Sequence, residues 1–334
     1  MLPVVVDAMG GDDAPGSVVE GAHRAAAELE RPIVLVGRPD ELGDTGALGV
    51  IAASEVIAMD AEPGSSVRRM KDSSLVRAAE AVRDGKAVAM VSAGNTGATM
   101  ASALLRMGRI KGVARPAIAV PIPCPFGKPT ILLDAGANAE CQPGWLVQFA
   151  QMGATLARRR FGIDRPAVGV LSIGEESGKG TGLVRDTHEL LARPEALAAA
   201  GARFIGNVEG RDLLRPDVDV VVTDGFAGNV ALKSLEGALA GILGVIDEAF
   251  DVDDERRAAA AVIRPVLGPL LDRLHPDQAG GAALLGVRGV CVVAHGSSSP
   301  TAVANAISLA DQLAADDLVA HLRAAVTLGN SSSG

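Results

Sequence analysis

The residues able to do chemistry concentrate in six loops. Each follows a short apolar run: VVVDAMGGDDAPG from Val4, VSAGNTGATM from Val91, ILLDAGANAE from Ile131, VLSIGEESGKGTG from Val170, VVVTDGFAGNV from Val220 and VVAHGSSS from Val292. Their glycines, among them Gly10, Gly11, Gly178, Gly180 and Gly228, let backbone N–H groups approach a ligand closely. Helix-like sequence follows each loop, and a helix N-terminus favours negative charge. Asn95, Asn138 and Asn229 place an amide in three of the loops, able to donate to a carbonyl or a phosphate. Ser92, Thr96 and Ser297 add hydroxyls of the same kind. Lys179 is a cation between two glycines at the start of a helix, and His295 is the only histidine in such a loop. Asp7, Asp134 and Asp224 each end a strand, where a carboxylate is expected to order its loop by accepting backbone N–H bonds. Together these residues describe a site for an anion.

The anion is not a nucleotide by any familiar spacing. LSIGEESGKGTG resembles a phosphate loop, but Gly174 to Gly178 is one residue short of GxxxxGK, and Gly180 stands where Ser or Thr binds magnesium. The first strand–helix turn lacks GxGxxG, which argues against a nicotinamide cofactor. No GxSxG elbow supports a Ser-His-Asp hydrolase. Glu175 and Glu176 are candidates to position Lys179 or to hold a metal, with solvated acid the plain alternative. The expectation is an enzyme without cofactor or metal.

Valine-rich runs of strand length alternate with Ala-rich helical stretches, and these elements must position the loops. Candidate strands are 3–7, 32–36, 87–92, 117–122, 130–134, 167–173, 218–223 and 289–294. Candidate helices are 14–30, 72–84, 96–109, 143–160, 181–200, 229–249 and 298–326. Fully apolar strands fit a parallel sheet covered on both faces, and the alternation fits a doubly wound α/β/α sandwich. A parallel sheet would place every strand-to-helix loop at one edge, where ligands of open α/β folds bind. The Pro-rich stretch Pro121–Pro129 reads as a hairpin or hinge. From Leu235 to Leu274 the alternation stops, and two helices flank the acidic run Asp251–Glu255. In the second helix Ile263, Leu267, Leu270, Leu271 and Leu274 share a face, while Pro265 and Pro269 are expected to bend or interrupt it. This hairpin is read as packing on its own subunit or a dimer mate in preference to a membrane surface. The whole chain, 1–334, is expected to form one α/β/α unit.

Composition narrows the class. With 334 residues and 48% hydrophobic content a sizeable core is available, but only 2% of residues are aromatic and none is Tyr, so Ala, Val, Leu and Ile must build it. Few stacking side chains and a net charge of -9 argue against a nucleic-acid partner. Cys124, Cys141 and Cys291 are odd in number and form no CxxC pair, so reduced thiols are expected. No basic leader and no uninterrupted apolar stretch of spanning length is evident, which points to the cytoplasm.

Taken in order, DAMGGDDAP, VRRMKDSSLV, VSAGNTGATM, RPAIAVPIP, LLDAGAN, QFAQMG, IGEESGKG, GNVEGRDL, TDGFAGNV, GGAALLGVRG and AHGSSS closely resemble the bacterial phosphate acyltransferases of phospholipid synthesis, the PlsX family. The resemblance runs over nearly the whole chain. It implies transfer of a fatty acyl chain from acyl-[acyl-carrier-protein] to orthophosphate, giving acyl phosphate. It also implies an α/β/α fold related to isocitrate and isopropylmalate dehydrogenases, a homodimer, and peripheral association with membrane. By the same resemblance the family's critical lysine falls on Lys179 and its critical asparagine on Asn229. Two positions depart from the family pattern: Ala279 stands where Tyr is common, and Val293 where Lys is common. The second change removes a cation from the His295 loop and leaves more of the charge work to Lys179.

Phosphate is substantially dianionic near neutral pH and can attack a thioester without a strong base. The enzyme's tasks are to hold that anion in line with the carbonyl and to stabilise the oxyanion. The glycine loops suit the first task and the Asn229 amide the second, with Lys179 neutralising phosphate or the departing thiolate. A covalent acyl-lysine is disfavoured, because an unperturbed lysine pKa of ~10.4 leaves little free amine at pH 7. The acidic carrier protein requires a local cationic patch; Arg68, Arg69, Lys71 and Arg77 form one candidate, and Arg158, Arg159 and Arg160 another. Short-chain acyl-CoA as donor, or a silent membrane-associated scaffold, are the competing readings.

Overall fold

A computed structural model describes residues 1–125, 127–274 and 280–330. Eleven strands form one continuous sheet: β1 (Val4–Asp7), β2 (Ile33–Gly37), β3 (Gly49–Ala52), β4 (Ala89–Ser92), β5 (Ala117–Ile122), β6 (Thr130–Leu133), β7 (Ala167–Leu171), β8 (Arg203–Val208), β9 (Val220–Val222), β10 (Ala282–Leu285) and β11 (Val290–Val293). Their spatial order is β3-β2-β1-β4-β11-β10-β5-β6-β9-β7-β8. The helices are α1 (Gly16–Glu28), α2 (Pro63–Arg69), α3 (Ser74–Arg83), α4 (Thr96–Ser102), α5 (Pro143–Phe161), α6 (Gly182–Leu191), α7 (Gly225–Phe250), α8 (Asp254–Leu274), α9 (Pro300–Ala315) and α10 (Leu318–Asn330). The protein is thus mixed α/β, a large central sheet with helices packed against it.

The sheet is not parallel throughout, which corrects the sequence expectation. Strands β3, β2, β1, β4 and β11 run one way, and β6, β9, β7 and β8 run the other. Between these blocks β10 and β5 pair antiparallel to each other and to their neighbours. The Pro-rich stretch is the connection that turns β5 into antiparallel β6, with Ile122 opposite Thr130. Loops of opposed blocks would normally open at opposite ends of a sheet. Register prevents that. One cross-strand row passes in order through Val6, Val91, Val292, Ala283, Ala119, Leu133, Val222 and Val170. In both blocks these residues lie at or next to the last strand position, so the blocks are staggered by about a strand length and their C-terminal ends meet along the row. Three ladder steps separate β11 from β6, roughly 14 Å at 4.8 Å per step.

Valine and alanine fill both faces of the sheet. One core joins Val4, Val6, Val91, Leu133 and Val222 to α1, α5 and α9; another joins Val5, Met90, Ile118 and Cys291 to α3 and α4. Elements missed in the sequence are β3, α2, β8, which carries Arg203, Gly206 and Asn207, and β10, which is AALL. The expected helix 298–326 is two, α9 and α10, parted at Asp316–Asp317, where Asp317 adopts φ 47°. Helix α7 starts earlier than expected because the Asp224 carboxylate accepts the Ala227 N–H at 2.8 Å and caps it.

Helices α7 and α8 form the anticipated hairpin, tied by an Arg264–Asp247 ion pair at 2.8 Å. Helix α8 runs unbroken through Pro265 and Pro269, against expectation. The residues flanking Pro265 are exposed, so water can take up the carbonyl that this proline leaves without a donor. Side chains of Leu267, Leu270, Leu271 and Leu274, and the whole of Ala279, lie outside the described residues. Helix α7 also corrects the expectation on spanning length. It holds an 18-residue window of mean hydropathy 1.4, none of it buried, long and apolar enough to cross a membrane by length and composition.

Candidate active site

Two ordered clusters face each other across the row where the blocks meet. The first is built by β1, β4 and β11. Asp7 is buried; its Oδ2 accepts from Ser92 Oγ at 2.7 Å, and its Oδ1 accepts the Met9 N–H at 3.3 Å. Burial pushes its pKa above the usual carboxylate range, opposed by hydrogen bonds from Ser74, Ser92 and Met9. Ser92 Oγ also accepts the Gly94 N–H at 3.0 Å, and Gly10 packs so closely on Gly94 that a Cβ there would lie 2.6 Å from the Gly94 nitrogen. Asn95 caps α4 by accepting the Ala98 N–H, and its amide donates to Met59 O and Ala61 O, so both its N–H bonds hold the chain rather than a ligand. Gly11 lies beside Gly296 of the β11 loop, and the Asp12 N–H donates to Gly296 O at 2.8 Å. Thr96 is exposed at the start of α4.

The second cluster is built by β6 and β9. Asp134 is buried and takes five N–H bonds: from Ile118, Gly136, Ala137 and Asn138 of the backbone, and from the Asn138 amide. Burial pushes its pKa up, while these donors pull it down. The second Asn138 amide N–H donates to Pro116 O at 2.8 Å, leaving none over. On α7, Gly225 and Gly228 press against this loop; a Cβ on Gly228 would fall 1.9 Å from Asp134 O. One turn in, Asn229 donates to Ala135 O at 3.3 Å through Nδ2. Its other N–H has no acceptor among the described residues, and the side chain is exposed. Asn229 is therefore the one loop asparagine with an amide donor to offer.

Lys179 occupies the β7 loop, on the strand next to β9 of Asn229's cluster. Residues 175–179 are exposed, and Lys179 has no ion-pair or side-chain hydrogen-bond partner among the described residues. The loop is tethered by backbone: Asn207 Nδ2 donates to Glu176 O at 2.7 Å and Arg185 to Gly180 O at 2.7 Å. Asn207 is braced in turn by His188 Nδ1 at 3.0 Å. Gly178 is open, with nothing within 4 Å of an added Cβ. Glu175 does not pair with Lys179. It turns to Arg211, which also pairs with Glu209. Glu175, Glu209 and Asp212 bring carboxylate oxygens within 4.8 Å of one another; Arg211 pairs with the first two and Arg215 with the third.

Lys233 was not anticipated. It lies one turn after Asn229 on α7, and its Nζ reaches His295 Nε2 at 3.3 Å, joining the two clusters. Glu236 holds the same ammonium at 2.7 Å, and His295 Nδ1 is 2.8 Å from Ser297 Oγ. The available signal was the four-residue spacing Asn229–Lys233, which puts both on one helix face. The His295 loop therefore keeps a cation despite Val293, supplied by another element. Of the cysteines, Cys141 lies nearest this chemistry; burial and the Asp134 charge push its thiol up to about 12, so it remains protonated. Cys291, buried in the sheet, is likewise pushed up to about 12.

Of the basic groups expected to dock a carrier, Arg158–Arg160 are engaged. Arg158 donates to Ala200 O, Arg159 pairs with Asp316, and Arg160 lies over the Phe161 ring with burial lowering its pKa to about 10. Arg77 pairs with Asp72. Arg68, Arg69 and Lys71 have no ion-pair partner among the described residues, and they close α2, whose neighbours Met59 and Ala61 hold Asn95.

A sheet whose opposed blocks converge on amides, cations and ordered carboxylates has the makings of a site that holds an anion for group transfer. Residues 2–321 match the family described as fatty acid synthesis protein. The chain is 46% identical over 333 residues to the phosphate acyltransferase of Elusimicrobium minutum, covering 96% of this chain and 95% of that protein. It is 44% identical to the phosphate acyltransferase of Heliobacterium modesticaldum, covering 96% and 97%. Among solved structures, the EutD phosphotransacetylase of Staphylococcus aureus shares the fold at a TM-score of 0.62 and 18% identity, with 94% of each chain covered. The chain belongs to the phosphate acyltransferase family and is an acyltransferase.

Proposed function

We propose that the enzyme transfers a fatty acyl chain from acyl-[acyl-carrier-protein] to orthophosphate, releasing acyl phosphate and free carrier thiol. The observation that carries this reading is the convergence of Asn229, Lys233 and His295 beside Asp134-ordered backbone, with Lys179 on the neighbouring loop. A phosphate oxygen forms the new O–C bond at the thioester carbonyl, whose electrons pass to the carbonyl oxygen. The free Asn229 N–H donates to that oxyanion, a role in which a preorganised donor acts most strongly. Collapse breaks the C–S bond and the thiolate leaves with the electron pair, its charge met by Lys179 before it takes a proton from water. With Cys141 and Cys291 held as thiols and the carboxylates fixed in loops, attack falls to phosphate itself.

The donor reading is supported by Arg68, Arg69 and Lys71, an unpaired cationic group beside the first cluster that suits an acidic carrier. The same proposal includes a homodimer in the cytoplasm with peripheral membrane contact through α7 and α8, where Ile242, Val245, Val262 and Val266 are exposed. A core akin to isocitrate and isopropylmalate dehydrogenases belongs to it as well, supported by the two staggered parallel blocks. The test is phosphate-dependent release of carrier thiol from long-chain acyl carrier protein, set beside short-chain acyl-CoA. Thiol release from the carrier with acyl phosphate formed is expected. Turnover of short-chain acyl-CoA alone would replace the donor, and activity lost on dialysis against EDTA would require a metal.

A further inference from the structure

Lys233 sits where neither block alone could place a cation. Helix α7 leaves the end of β9 with Leu232, early in the helix, half-buried against two of the hydrophobic cores, while most of its later residues are exposed. That fixed docking aims the next residue at the β11 loop, 62 positions along the chain, where Nζ meets His295 Nε2 at 3.3 Å. An ammonium only donates, so Nε2 accepts and the imidazole proton resides on Nδ1, facing Ser297 Oγ at 2.8 Å. The Ser297 N–H is also directed at the same Nδ1, from 3.3 Å. His295 thereby orients the lysine through Nε2.

Of the three ammonium N–H bonds, Glu236 takes one at 2.7 Å and His295 another. The third has no acceptor among the described residues, and the side chain remains 46% exposed. The site thus carries two cations of different character. Lys233 is oriented at the seam of the clusters, one helical turn from the Asn229 amide, and Lys179 stands unpaired on the β7 loop. We infer that Lys233, oriented by His295 and Glu236, binds the attacking phosphate, leaving Lys179 to the thioester and its departing sulfur. This division of labour rests on the acyl-transfer reading above.

The experiment reads initial rates against phosphate at saturating acyl carrier protein, together with equilibrium dialysis of radiolabelled inorganic phosphate. Lys233→Ala is expected to raise the phosphate KM about tenfold or more, the loss of one charge-assisted hydrogen bond, while the acyl-donor KM stays within about twofold. Lys233→Arg, which keeps the charge, restores part of the phosphate affinity, and His295→Ala shifts it in the same direction by less. Lys179→Ala lowers kcat and leaves phosphate KM near wild type. An unchanged phosphate KM in Lys233→Ala overturns the inference, as does a loss confined to kcat. Phosphate binding by dialysis that is equal in wild type and Lys233→Ala, or absent from wild type at millimolar phosphate, overturns it also. A wild-type enzyme that binds phosphate through Lys233 yet releases no carrier thiol would instead defeat the acyl-transfer reading. Because Lys233 is a half-exposed surface side chain, Lys233→Met with an unchanged circular dichroism melt separates function from folding.

Discussion

The Asp134 loop and the Lys179 loop are built by opposite means. In the first, one buried carboxylate gathers five N–H bonds, and Gly228 lies so close that its α-carbon substitutes for a side chain. In the second, residues 175–179 are exposed and only the backbone is fastened, by Asn207 and Arg185. The difference follows from what each loop presents. An amide stabilises an oxyanion only along the direction of its N–H bond, so Asn229 needs a fixed support. An ammonium acts as a point charge with rotatable donors, so Lys179 needs proximity more than orientation.

The sharpest way to break this comparison is to add one methyl group to each loop. Gly228→Ala would place Cβ 1.9 Å from Asp134 O, a clash with backbone that cannot be relieved by a side-chain rotation. Overpacking of this kind costs about 1–3 kcal/mol or more. The variant is expected to lose most activity and to melt several degrees below wild type. Gly178→Ala meets nothing within 4 Å and should keep the wild-type melting temperature. Equal melting curves for the two variants would show that the Asp134 loop is no more rigidly packed than its counterpart.

Removing the charge rather than the packing comes next in size. Lys179→Ala should lower kcat on the order of 10²–10³-fold, the usual loss of one transition-state partner, with no change in melting temperature. Asn207 acts through the loop and is a positioning residue: Asn207→Leu should lower kcat about tenfold by releasing Glu176 O. In the Lys179→Ala background the same change should cost nothing further, since residues acting as a unit are not additive. Additive losses in the double variant would mean that Asn207 supports the fold and not Lys179.

Much of this was legible in the residues. The valine runs gave away most strands because they are buried on both faces, and the strand-end aspartates and loop glycines marked the loops that the fold brings together. What periodicity could not carry is direction. Nothing in Ala282–Leu285 distinguishes a strand that runs against its neighbours, so the reversal at β10 and β5 was hidden, and with it the stagger that makes the two sets of loops meet. Asn95 and Asn138 looked as available as Asn229, because the partners that use up the last of their amide donors, Met59 and Ala61 for one and Pro116 for the other, are distant in sequence. Lys233 escaped notice for the same reason. A lysine on a helix reads as solvated until the fold brings His295 to it.

The smallest effect distinguishes the two strand-end carboxylates that order these clusters, and it depends on pH. Asp134 faces five N–H donors, whereas the Asp7 carboxylate is held largely by serine hydroxyls, which can rotate to accept or donate. Burial raises the Asp7 pKa in the folded protein above its unfolded value. Stability from the protonated form is therefore full below the unfolded value and is lost as pH rises through the folded pKa. Asp7→Asn removes that titration while keeping an oxygen for the Met9 N–H and an amide that can donate to Ser92. The variant should melt close to wild type at acidic pH and gain on it as pH rises. Asp134→Asn, by contrast, forces an NH₂ toward N–H donors and should melt below wild type at every pH. Melting curves of the two variants across acidic to neutral pH decide the matter. A gap between Asp7→Asn and wild type that shrinks with rising pH would mean that Asp7 is held as a stabilised carboxylate, against the direction in which burial shifts both it and Asp134.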